Sequence, residues 1–91
     1  MGAHETELLT PTLLRAARAL LGLDQEKFAA RVGISRKTIA LIEMTGPGPV
    51  DPRRRETLEK LRRTMEDDLM VEFVFAGETS GEGVRIRRAR I

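Results

Sequence analysis

A punctuation pattern recurs through the first half of the chain: a small polar residue able to cap a helix, a short apolar stripe, then a stop. Thr10 and Pro11 open the first unit, Leu13, Ala17, Leu20 and Leu21 repeat at helical spacing, and Gly22 closes it. Each part has a physical role. A cap oxygen accepts one of the unpaired N–H groups of the first turn, proline loses nothing at the first helical position, and glycine enters the left-handed conformation that ends a helix. Leu9 and Leu14 stand where a hydrophobic staple would fix the entry of the chain. Asp24 then caps a second helix running to about Val32, stopped by Gly33, with Leu23 and Phe28 as its staple. Ser35 caps a third through about Met44, with Ile34 and Ile39 in the same role. Helices this short are unstable alone, so the pattern predicts that they pack together.

Beyond them, Thr45-Gly46-Pro47-Gly48-Pro49-Val50 reads as a loop. Asp51 caps a fourth helix that Pro52 starts, and Leu58, Leu61, Met65 and Leu69 give it one narrow apolar stripe. The acids Glu66, Asp67 and Asp68 fall near its end, where the helix dipole disfavours them. The period then changes to two in Val71-Glu72-Phe73-Val74-Phe75, and again in Val84-Arg85-Ile86-Arg87 after a glycine-rich turn. The expected fold is mainly α, four helices followed by a C-terminal β-hairpin. Residues 1–9 are expected to form a flexible tail, 10–69 the helical domain and 70–91 the hairpin. A lone hairpin is marginal in water, so this one must pack on the helices or pair with another copy. Val71, Phe73, Phe75, Val84 and Ile86 are the expected dimerisation residues.

Composition narrows the chemistry. Ninety-one residues make one small domain, and there is no cysteine to reinforce it. A single histidine, His4, with no tyrosine or tryptophan leaves little material for a metal cluster, a nucleophilic triad or an aromatic pocket. No convergent catalytic group stands out, so neither an enzyme nor a cofactor is expected. Glu66-Asp67-Asp68 are adjacent acids that do not converge on a point, and no metal site is expected there. No apolar run is long enough to span a membrane, and the acidic N-terminal residues argue against a signal peptide, so the expected location is the cytoplasm. The net charge of +2 conceals strong segregation. Residues 11–55 carry nine basic and four acidic groups, residues 56–83 three and eight, and residues 84–91 four arginines and no acid. Such asymmetry suggests a polyanionic partner for the first half.

The most informative spacing lies in residues 25–44. Ala29 is small where two crossing helices come closest, Gly33 suits a turn with positive φ, and Ile39 and Ile42 plug the next helix into the core. That leaves Arg36, Lys37, Thr38 and Leu41 facing outward. Together with Arg18-Ala19-Leu20-Leu21-Gly22-Leu23-Asp24-Gln25 and Ile42-Glu43, this run resembles the lambda-repressor-like (Xre) helix-turn-helix family. The resemblance covers roughly residues 11–67 and implies a helical, usually dimeric domain whose third helix enters the DNA major groove. It implies that Gln25 lies near a phosphate and the first bases, that Arg36 and Lys37 hold base-reading positions, and that Thr38 serves a phosphate. Ser35 and Leu41 complete the groove-facing set, and Arg18 with Glu43 matches a pair that bridges the first and third helices in relatives. Two positions depart from the family: Asp24 replaces the more usual Ser, Thr or Asn, and a hairpin stands where a fifth helix is common.

The chemistry of these residues agrees with that implication. Arginine and lysine can address guanine O6 and N7, and Leu41 a thymine methyl. Arg53 and Arg54, with Arg55, suit the backbone flanking the groove. The expected function is a homodimeric transcriptional regulator, a repressor, reading a palindromic operator in double-stranded DNA through residues 35–44. The alternative is the same fold used as a protein-binding module, such as an antitoxin or anti-activator, in which the acidic middle and the hairpin edge serve a protein partner.

Overall fold

In the computed structural model, which describes residues 8–46 and 51–87, all three early caps form. Helix α1 (Pro11–Leu21) begins on Thr10, whose hydroxyl accepts from the Leu13 amide at 3.1 Å. It ends at Gly22, φ 72°, where the Gly22 and Leu23 amides reach back to the Ala19 and Arg18 carbonyls. Helix α2 (Gln25–Val32) starts on Asp24, which accepts from the Lys27 amide at 2.7 Å, and stops at Gly33, also at φ 72°. Helix α3 (Arg36–Met44) starts on Ser35 and stops without a glycine: the Thr45 hydroxyl donates to the Leu41 carbonyl at 2.8 Å. Helix α4 (Pro52–Asp68) starts on Asp51 and runs for 17 residues.

The chain leaves α4 through Met70, whose φ of 61° is unusual for a residue with a side chain. Its carbonyl accepts from the Arg87 amide at 2.7 Å, so the far end of the hairpin holds this turn in place. Strand β1 (Val71–Val74) pairs antiparallel with β2 (Gly83–Ile86), Val71 opposite Ile86 and Phe73 opposite Val84. The hairpin lies against the helices, β1 on α4 and β2 on α1.

One apolar cluster joins every helix to β1. Phe28 of α2 is fully buried with Leu13 and Leu14 of α1, Ile39 of α3, Leu61 and Met65 of α4, and Val71. Each such side chain contributes about 1.5–3 kcal/mol on burial. Phe73, Phe75 and Val84 are half-buried against this cluster, and the Arg62 guanidinium sits 4.5 Å from the Phe75 ring centre. Val71, expected at a dimer surface, is 1% exposed, because the inward side of β1 covers the chain's own helices. Phe73, Phe75 and Val84 face the same way, and of the expected set only Ile86, 37% exposed, remains open. His4, most of the expected tail, residues 47–50 of the loop, and Arg88 and Arg90 lie outside the described residues.

Candidate nucleic-acid interface

Helix α3 is presented by the Gly33 turn with α2 on one side and α1 behind it. The helical period divides it sharply. Ile39, Ile42 and Glu43 are buried, while Arg36, Lys37, Leu41 and Met44 are exposed. Arg36 and Lys37 occupy the first turn, and among the described residues neither has a hydrogen-bond or ion-pair partner.

The single acid of α3 is handled in the opposite way. Glu43 is only 5% exposed, and its carboxylate accepts from Arg18 Nε at 2.8 Å and Arg18 Nη2 at 2.9 Å. Gln25 Nε2 adds a third bond at 3.1 Å, and Arg15 Nη1 donates to the Glu43 carbonyl. Burial alone would raise the Glu43 carboxyl. The bonds from Arg18 and Gln25, with the charges of Arg18 and Arg15, outweigh it and hold the group below the ordinary glutamate range. Arg18 is raised in turn, chiefly by its hydrogen bond to Glu43, and its Nη1 also donates to the Leu23 carbonyl at 3.1 Å. This knot ties α1, the start of α2 and the end of α3 together, and it removes negative charge from the exposed face of α3.

The remaining expected site residues divide by what they already hold. Ser35 is occupied as a cap: its oxygen accepts from the Thr38 amide at 3.2 Å and its hydroxyl donates to Thr38 Oγ1 at 2.9 Å. Thr38, half-buried, still has its own hydroxyl proton to offer. Gln25 is half-buried with one N–H on Glu43, which fixes its amide beside the groove between the starts of α2 and α3. Arg18, Asp24, Gln25, Glu26 and Arg36 line that shallow groove. Arg53 pairs with Asp51 at 3.3 Å in a largely exposed contact, while Arg54 is half-buried. The Arg53 amide bond, then its guanidinium, keeps Asp51 below the usual aspartate range.

Sequence reasoning missed Met44, which is 79% exposed and continues the outward stripe. Its position seven residues after Lys37 was the available signal. Arg15 was missed too, because nothing local to it announces the end of α3 as its partner. No group of three potential metal ligands occurs among the described residues, and no described helix is long and apolar enough to cross a membrane.

The helix-turn-helix family profile matches residues 14–44, a span that runs from within α1 to the last residue of α3. No curated protein matches the chain. The buried cross-link between Arg18 and Glu43, the left-handed Gly33 turn and the outward α3 all fall inside the matched span. Over residues 14–44 the chain is thus similar to the helix-turn-helix family of the lambda-repressor-like (Xre) type.

Proposed function

We propose that the chain is a sequence-specific transcriptional regulator, a homodimeric repressor that reads a palindromic operator with α3. The observation that carries this reading is the exposed face of α3: two cations in its first turn that have no partner among the described residues, and its one acid buried beneath Arg18. Arg36 and Lys37 are the base-reading residues, with Leu41 beside them. Gln25, Thr38, Arg53 and Arg54 contact the phosphate backbone around the groove, and Ser35 holds the mouth of the helix in shape. Backbone contacts set register while base-edge contacts set sequence.

A twofold dimer places two copies of α3 about 34 Å apart, one turn of DNA. The inward packing of Val71 and Phe73 leaves the strand edges, Val74 and Ile86 as the parts of the hairpin available to a second copy. The double variant Val74→Lys/Ile86→Lys should then yield a monomer by sedimentation with an unchanged helical spectrum; an unchanged dimer would count against the hairpin as the interface.

The test of DNA binding is a titration with random duplex DNA over a range of salt. Affinity should fall steeply as salt rises, because neutralising phosphates releases counterions. Absent or salt-independent binding would contradict this reading and leave the alternative, a protein-binding module.

A further inference from the structure

The groove between the starts of α2 and α3 holds two negative charges that its construction does not require. Gln25, the backbone contact in the function proposed above, stands between Asp24 and Glu26, and all three line the groove with Arg18 and Arg36. Asp24 is exposed, and its Oδ1 is fixed by the Lys27 amide at 2.7 Å. A neutral side chain caps a helix as well, as Thr10 and Ser35 do for α1 and α3. Glu26 is exposed too, and among the described residues neither carboxylate has a cation in ion-pair contact. Arg18 cannot serve them, because its guanidinium is spent on Glu43. The field of Asp24 nevertheless reaches it: Arg18 is raised chiefly by its hydrogen bond to Glu43, with the charges of Glu43 and Asp24 adding to this.

A phosphate held by the Gln25 amide therefore meets opposing forces. The start of α2 attracts an anion through its free N–H groups and dipole. The carboxylates on either side of Gln25 repel it. Building on the DNA-binding reading above, we propose that Asp24 and Glu26 are an electrostatic brake on the phosphate contact at Gln25, lowering affinity for every duplex alike. Phosphates carry no sequence, so the brake leaves preference among duplexes untouched. Its size follows from Coulomb's law: like charges ~7 Å apart in water cost about threefold in binding. Asp24, anchored by the Lys27 amide, cannot swing away and supplies the larger share. Glu26 has no such anchor and supplies less.

The experiment measures the affinity of the purified full chain for a duplex it selects from a random pool and for a random duplex, over a range of salt. Asp24→Asn keeps the cap and removes the charge. It should bind both duplexes about threefold more tightly at low salt, and the gain should shrink as added salt shortens the screening length. Asp24→Ser, a second neutral cap, should match it, and Glu26→Gln should gain less. Glu78→Gln, in the turn of the hairpin, lowers the total negative charge equally and should gain nothing. A gain confined to the selected duplex would make Asp24 a base contact, and a gain in Asn but not Ser would make it an amide bond; either overturns the proposal. So would an equal gain in Glu78→Gln, or a lower urea midpoint in Asp24→Asn with no tighter binding, which would leave Asp24 as a partner of the α2 dipole alone. If the native chain binds neither duplex, the DNA-binding reading itself fails; if it binds and neutralising Asp24 changes nothing, only the brake falls.

Discussion

The start of α3 and the end of the hairpin are both rich in cations, yet the fold treats them differently. On the hairpin, Arg85 donates to the Glu72 carboxylate at 2.8 Å, which raises the arginine and lowers its partner. Arg87 donates to the Glu66 carbonyl at 2.8 Å, near the C-terminal end of α4, where a cation complements the helix dipole. On α3 the one acid is drawn inward to Arg18, and Arg36 and Lys37 are left without partners among the described residues. A run of arginines in a sequence thus measures density of charge, not its availability. What decides is whether a carboxylate or carbonyl lies within reach.

The largest expected effect tests the buried half of that contrast. Glu43→Ala strands the Arg18 guanidinium in a partly buried site, and it should lower stability by about 2–3 kcal/mol, discounted from a fully buried pair because Arg18 keeps some contact with water. Urea denaturation measures this. A change below about 0.5 kcal/mol, the level of an ordinary surface substitution, would reduce the knot to a surface ion pair. The pH dependence follows with its sign. Because the folded Glu43 carboxyl lies below its ordinary value, its contribution is complete above about pH 4.3, where an unfolded glutamate titrates, and is lost as pH falls through the folded value. The acid-side fall in the urea midpoint should be shallower in Glu43→Gln than in the native chain, and equal slopes would assign acid sensitivity to other groups. A smaller effect separates the two regions by backbone alone. Gly33 holds φ 72° with open space around an added Cβ, so Gly33→Ala should destabilise by about 1 kcal/mol through conformation rather than clash. Gly81 has the same space and no positive φ, and Gly81→Ala should leave the thermal midpoint nearly unmoved. Equal shifts in both variants would remove the backbone explanation.

How much of the molecule was legible follows from the range of its interactions. Thr10, Asp24 and Ser35 each cap a helix through an amide three residues on, so a local pattern reveals them. The same holds for Gly22 and Gly33, which the turns require at positive φ. Met70 carries no such signal, since its left-handed turn is held by Arg87 from the other strand. The period of β1 was readable but not what covers it: alternation marks Val71 and Phe73 as one face and cannot say whether a second copy or the chain's own α1 and α4 lies against it. At the interface, the outward set of α3 emerged from helical spacing down to Leu41. Met44 was read as the end of a helix, not as part of its face. The Arg18–Glu43 link came from family resemblance, and Gln25 and Arg15 joined it only when the packing of α1, α2 and α3 was known.

In the proposed function it is Arg36 and Lys37 at the start of α3, rather than cationic residues in general, that hold DNA. Affinity for a selected duplex should be measured side by side for Arg36→Ala/Lys37→Ala and for Arg85→Ala, with circular dichroism on each. The α3 double variant should lose at least about thirtyfold, from about 1–3 kcal/mol for each of two good base contacts, and Arg85→Ala should change by less than twofold, with both spectra native. Comparable losses in the two variants, or a natively folded α3 variant that binds as tightly as the original chain, would contradict it.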